Sequence, residues 1–183
     1  MVTERAIGSA SAERAAAFSD LAERHLADSY RLAAMILGNQ ADAQDATHDA
    51  FVTAWKHWGS LRDPDRFEAW FGKILVNVCR DRLRRSRRHG VMEVTDVSDE
   101  LLAAPASGDP AAAAADHDAV GRGLGRLEPD QRIVLVLRYY RDLPVDEIAA
   151  RMSIPAGTVK SRLHYALRDL GAALGEERPE VTR

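Results

Sequence analysis

From Val91 to Asp118 the chain carries no lysine or arginine. Glu93, Asp96, Asp99, Glu100, Asp109, Asp116 and Asp118 stand there among alanine, serine, glycine and proline. A stretch of one charge sign set among small and turn-forming residues has little to bury, so it reads as a flexible acidic linker, with Ala111–Ala115 able to begin a helix inside it. Whatever this chain folds into is therefore built from two blocks, one on each side. Its 183 residues suffice for two small domains. The expected boundaries are 13–89 for the first, 90–117 for the linker and 118–174 for the second.

The same segregation explains a misleading net charge. At −3, with a pI of about 6.1, the whole chain gives no bulk sign of nucleic-acid binding. The linker's acid offsets basic patches elsewhere, so local charge is the quantity to read.

Both blocks carry helical periodicity. In the first, Phe18, Leu21, Leu26, Leu32, Met35 and Ile36 predict a helix from about Glu13 to Leu37, stopped by Gly38-Asn39, with loose residues before it. A second helix is expected from about Asp42 to His57, and "GSLRDPDRF" breaks it. A third runs from about Asp65 to Arg88, with Phe67, Trp70, Phe71, Ile74, Leu75, Val78 and Leu83 inward. The second block predicts four short helices: about Asp116–Arg126, Pro129–Arg141, "VDEIAARM" after Pro144, and "PAGTVKSRLHYAL". The apolar run "IVLVLRYY" would suit a strand alone, but the flanking helices favour a buried helix. The fold class is all-α: two small helical domains joined by the linker.

"LPVDEIAARMSIPAGTVKSRLHYAL" has helix-turn-helix spacing. Ile148 and Ala149 pack inward, Met152-Ser153-Ile154 forms the corner, Val159 and Leu163 return to the same core, and Leu167 continues them as a third apolar anchor at four-residue spacing. That layout projects the last helix toward a major groove. Lys160 and Arg162 suit phosphate or guanine, and Ser161, His164 and Tyr165 can exchange hydrogen bonds with base edges. Thr158 and the nearby amides can hold a phosphate. A solvated helix face is the plain alternative; the corner and the polar mix together favour DNA.

In "RDRLRRSRR", Arg80, Arg82, Arg84, Arg85, Arg87 and Arg88 crowd the end of the third helix against one acid, Asp81. Complementing the helix dipole needs fewer cations, so a phosphate-contacting surface is expected. Asp42, Asp45 and Asp49 share one face of the second helix, next to His48. Three readings stand there: a solvated acidic face, a docking face for a basic partner helix, or a metal site, which no further cluster of ligands completes.

The single cysteine, Cys79, excludes a disulfide within the chain and fits a reducing compartment, where it reads as a small core residue. There is no signal-peptide pattern and no apolar run near the roughly 20 residues of a membrane span. A cytoplasmic protein without membrane insertion is expected, and no cofactor or metal.

Taken in order, "ADAQDATHDAFVTAW", "FEAWFGKILVNVCRDRLRR", "LEPDQRIVLVLRYYRDLPVDEIAARM" and "PAGTVKSRLHYALRDL" resemble the sigma-70 family of bacterial RNA polymerase sigma factors, in the small extracytoplasmic-function (ECF) group. The likeness covers roughly Phe18–Arg88 and Ala119–Leu174. It implies a region 2 helical bundle and a region 4 helix-turn-helix, and a non-catalytic subunit that directs core RNA polymerase to promoters. Its partners would be core polymerase, through the largest subunit's clamp helices and the flap, promoter DNA, and in some relatives an anti-sigma factor. The resemblance assigns polymerase docking to Asp42, Asp45, Asp49, Phe51 and Trp55. It assigns the minus-10 element to Asn77, Arg80, Arg84 and Arg66, the last within the base-capturing loop Ser60–Arg66. Lys160, Ser161, His164 and Tyr165 would face the minus-35 element, with Thr158 and Arg162 on its backbone. Two stretches depart from the common pattern: Thr47-His48-Asp49, where a glutamine often precedes the acid, and His164-Tyr165, where arginine or phenylalanine is frequent. A free-standing helix-turn-helix regulator and a metal-dependent nuclease are the competing function classes.

Overall fold

The computed structural model describes the backbone of residues 2–88 and 119–176, with side chains for 12–88 and 119–175. The expected linker lies outside the described residues. The first block is α1 (Val2–Leu37), α2 (Gln40–His57) and α3 (Phe67–Arg88), with 3-10 turns at Trp58–Ser60 and Pro64–Arg66 between the last two. The second is α4 (119–126), α5 (Pro129–Leu135), α6 (Val145–Met152) and α7 (Ala156–Glu176). No strand occurs among the described residues.

Local chemistry sets the boundaries. Gly38, at φ 77°, ends α1 in the left-handed conformation that glycine adopts without penalty. Asn39 then caps α2, its side-chain oxygen accepting from the Asp42 amide at 2.6 Å. Asp63 caps the turn before α3 by accepting from the Asp65 amide at 3.0 Å, and Pro64 follows in the first helical position. The run "IVLVLRYY" is helical and buried up to Leu137, but α5 widens into a π-turn over Val136–Tyr140, where the Arg141 amide donates to the Val136 carbonyl at 3.2 Å.

Two expectations are corrected. Helix α1 starts at Val2, not near Glu13. The alanine-rich lead-in favours helix by intrinsic propensity, although no apolar stripe marks it. In α7, Val159 is buried and Leu163 half-buried, but Leu167 is 46% exposed. A strict four-residue step rotates about 40° per repeat on a 3.6-residue helix, so the third anchor turns out of the core. Ala166, Leu170 and Ala173 take its place at alternating three- and four-residue steps.

The two blocks share one apolar core. Leu75, Val76, Cys79 and Leu83 of α3 belong to the same buried cluster as Val134, Leu137, Ile148, Met152 and Val159. A smaller cluster of Leu124, Leu127, Leu135 and Ala166 ties α4, α5 and α7 together.

Candidate nucleic-acid and partner interface

The helix-turn-helix corner is built by Ser153, at φ 54° and ψ 47°. The chain reverses there, with the Ile154 amide donating to the Ala149 carbonyl at 3.1 Å. Helix α6 buries Ile148 and Met152, and α7 buries Val159 against them. This leaves Lys160, Ser161, His164 and Tyr165 exposed along one edge of α7. The Ser161 hydroxyl donates to the Thr158 carbonyl at 3.0 Å, so its oxygen is left as an acceptor. Tyr165 lies edge-on to His164, with ring centroids 5.5 Å apart, and the Arg168 guanidinium sits 5.1 Å from the Tyr165 centroid. Asp169, beside Arg168, is held below the usual carboxylate range by hydrogen bonds from Arg168 and then Gln131. Thr158 is half-buried near the helix start. Arg162 turns the other way, its Nη2 2.9 Å from Asp130 of α5.

On α2, Asp42, Asp45 and Asp49 share a face as expected, and a cation already meets them. Arg82 of α3 places Nη2 2.5 Å from Asp49 and Nη1 3.7 and 3.8 Å from Asp42 and Asp45. The carboxylates stay substantially exposed, whereas Arg82 is mostly covered. The guanidinium lies among the three carboxylates, which remain an acidic surface. Phe51 is half-buried and stacks on Phe71 at 4.4 Å. Trp55 is 43% exposed beside Phe18, their centroids 5.2 Å apart. Carboxylates, an exposed indole and the flanking His48 form one continuous side of α2.

The third expected group divides. Asn77, Arg80 and Arg84 lie in one stripe of α3, whereas Arg66 sits apart on the turn before it. Arg66 lines a cavity of about 430 Å³ with Arg62, Trp70 and Lys73, which Glu147 and Arg151 of α6 also line. Phe67 is too buried to meet a base; Trp70, half-buried at this cavity, is the accessible ring. Arg80 and Arg84 face the second block. Arg80 donates both terminal nitrogens to the Met152 carbonyl at 3.3 Å, and its Nε lies 3.0 Å from Asp130. Arg84 and Arg162 reach the same carboxylate at 3.3 and 2.9 Å.

Four residues central to this arrangement escape sequence reasoning. Arg82 hides among six arginines. Asp130 looks like an ordinary acid in the first turn of a helix. Arg132 and Arg151 are 3% and 5% exposed, although a charged residue ordinarily signals surface. Arg132 is desolvated enough to lower its pKa from 12.5 to about 10. Arg151 finds Glu68 at 3.5 Å and Glu147 at 3.8 Å.

Comparison with known proteins agrees with this geometry block by block. Residues 21–89 match the model of sigma-70 region 2, and residues 123–171 that of sigma-70 region 4. The ECF RNA polymerase sigma factor SigL of Mycobacterium tuberculosis is 34% identical over 173 residues, covering 94% of this chain and 96% of the relative. Among solved structures, the sigma factor RpoE of Bartonella quintana, in complex with the anti-sigma factor NepR, superposes with a TM-score of 0.63 at 25% identity. It covers 87% of this chain and 99% of that one. CnrH, in complex with the cytosolic domain of CnrY, superposes with a TM-score of 0.59 at 27% identity, covering 88% and 89%.

Proposed function

We infer the function from one premise: the chain belongs to the sigma-70 family of RNA polymerase sigma factors, in its ECF group. It is a promoter-specificity subunit that binds core RNA polymerase and directs initiation at minus-10 and minus-35 elements. Members of the family are non-catalytic initiation factors, and this chain has no catalysis of its own. It acts in the cytoplasm; among the described residues no helix is long and apolar enough to cross a membrane.

The observation that carries this reading is the exposed edge Lys160–Tyr165, projected by the Ser153 corner in the same chain as an acidic, indole-bearing α2. Duplex DNA is best read by a projecting helix. Lys160, Ser161, His164 and Tyr165 take the base edges of the minus-35 element, with Thr158 and Arg162 on its phosphates. A melted strand is best held by a basic stripe beside a pocket for an unstacked base. Asn77, Arg80 and Arg84 supply the stripe, and Arg66 with the cavity beside Trp70 supplies the pocket. Asp42, Asp45, Asp49, Phe51 and Trp55 dock on the clamp helices of the largest polymerase subunit, and region 4 meets the flap. The domains are 13–89 and 118–174, and the linker at 90–117 lets them span separated elements. As in the solved complex of RpoE with NepR, an anti-sigma factor fits as a regulatory partner.

Co-elution with core polymerase tests the docking assignment. The wild-type chain is expected to co-elute with core, and the Asp45→Ala, Asp49→Ala double variant to be largely lost from the complex while retaining its helical content. Unchanged co-elution of the double variant contradicts the assignment.

A further inference from the structure

We propose that Arg168, Asp169 and Gln131 are positioning residues for the minus-35 element: they hold the Tyr165 ring in one place on the reading edge, and so set how sharply that ring discriminates its base. The inference rests on the reading of the α7 edge as the minus-35 contact.

The first observation is how Tyr165 is held. The side chain is 49% exposed, yet two neighbours fix its ring. The His164 ring stands edge-on to it, with centroids 5.5 Å apart, and the Arg168 guanidinium lies 5.1 Å from its centroid. A cation at that distance is attracted to an aromatic ring. Side chains on a helix lean toward its N-terminus, so Arg168, three positions on, lies over the turn that carries Tyr165.

The second observation is what holds Arg168. Its Nε and Nη2 both donate to Asp169 Oδ1, at 2.9 and 2.7 Å. Adjacent residues on a helix do not face each other, so this pair does not form by default. Alone, an exposed pair contributes little. Asp169, however, is tied at its other oxygen: Gln131 Nε2 of α5 donates to Oδ2 at 2.9 Å, across 38 positions of sequence. Gln131 is fixed in turn, because its Oε1 accepts from the Glu128 amide at 3.1 Å and completes a capping box at the start of α5. A path from Glu128 through Gln131, Asp169 and Arg168 therefore ends on Tyr165.

This arrangement suits a geometric role. The Asp169 carboxylate neutralises Arg168, which disfavours Arg168 as a phosphate contact in its own right. A ring already in place loses less freedom on meeting a base than one that must be ordered there. The Tyr165 hydroxyl exchanges hydrogen bonds with a base edge only from the right position, so a loosened ring discriminates less.

The test is selection of duplexes randomised over the minus-35 element, by the full chain in complex with core polymerase and in parallel by the chain alone. Tyr165→Ala first identifies the base position that this residue reads. Arg168→Ala, Asp169→Ala and Gln131→Glu are each expected to lower preference at that same position by about three- to ten-fold, with the other positions unchanged. Gln131→Glu keeps an oxygen for the Glu128 amide but turns a carboxylate toward Asp169. In the Tyr165→Ala background none of the three lowers preference further, because they act through the ring. Arg168→Lys, which keeps a cation near the ring, is expected to recover part of what Arg168→Ala loses. The salt slope of binding stays unchanged in Arg168→Ala, whereas loss of a phosphate contact would reduce it by about one.

Folded variants with wild-type preference, uniform weakening with a reduced salt slope, or a preference indifferent to Tyr165→Ala each overturn the proposal. Folding is read by circular dichroism. The Arg168 side chain is 64% exposed, so Arg168→Ala decides alone if Gln131→Glu disturbs the cap. Stimulation of core polymerase by the wild-type chain is measured alongside. A chain that stimulates initiation, but whose variants keep the wild-type preference, loses the positioning path and keeps its sigma function. A chain that never stimulates core, but alone selects a sequence through Tyr165 and loses it in the variants, keeps the path and loses the sigma reading.

Discussion

Arg80 and Asp130 face each other across the two blocks at 3.0 Å, although 50 positions separate them in the sequence. The pair joins α3, the richest source of positive charge in the chain, to the first turn of α5. Arg80 is also fixed by the Met152 carbonyl, so one guanidinium links the basic stripe to both ends of the α5–α6 unit. Most of the chain's testable behaviour follows from where its arginines are held.

Arg82 is held by three acids on α2. Its replacement by glutamine leaves Asp42, Asp45 and Asp49 facing one another without a cation. Because the carboxylates are well exposed, solvent screens the loss, and a destabilisation of about 0.5–1 kcal/mol is expected. Thermal unfolding should show a lower midpoint for Arg82→Gln at low salt and a narrower gap at high salt. A gap that widens with salt contradicts the electrostatic account.

Arg132 is buried, and among the described residues its Nε meets no acceptor. Its folded pKa, about 10, lies below its ordinary value of 12.5. The folded chain therefore binds fewer protons than the unfolded chain between those values, and stability contributed by this group rises with pH across that window. Below it the desolvation penalty is fully present, at most about 3 kcal/mol for a shift of this size. Arg132→Met, of similar length, is expected to raise the denaturation midpoint at neutral pH and to lose that advantage above pH about 10. A destabilised Arg132→Met at neutral pH would show that the guanidinium contributes more through its seat at Gly38 than its burial costs.

Cys79 is fully buried in α3, and desolvation raises its pKa to about 12, well above the thiol's ordinary 9.0. Almost no thiolate exists in the folded chain at neutral or mildly alkaline pH. Labelling by a thiol reagent should follow global unfolding and slow in step with added stability. Fast labelling under native conditions would mean that the core around α3 opens locally.

On α7, contacts of two kinds are separable. Arg162→Ala should weaken promoter binding by the polymerase complex across sequences and reduce its salt dependence, as loss of a phosphate contact does. His164→Ala should relax base preference within the minus-35 element, because an imidazole exchanges hydrogen bonds with base edges. Selection from a randomised minus-35 library distinguishes them; an unchanged preference for His164→Ala removes that residue from base reading.

The helices and the helix-turn-helix corner were legible because each is written in one segment: a glycine at the end of α1, a capping asparagine, an apolar stripe. The acidic face was legible for the same reason. The meeting of the blocks was not. Arg82, Asp130, Arg132 and Arg151 act on residues tens of positions away, and periodicity within a helix does not say which element its face will meet. A buried arginine also runs against the rule that charge marks the surface, so Arg132 and Arg151 read as solvated until the glycines opposite them are seen. Leu167 misleads in the other direction: it is apolar at an attractive spacing, but helical drift carries it out of the core.

The central claim is that this chain confers promoter choice on core RNA polymerase. Run-off transcription on a promoter library, with purified bacterial core alone and with core plus the chain, tests it directly. The account predicts initiation at a shared two-element sequence only when the chain is present, and its loss in the Asp45→Ala, Asp49→Ala variant. No stimulation of core from a matched host, together with tight binding of the chain alone to duplex DNA, would contradict it and identify a free-standing regulator instead.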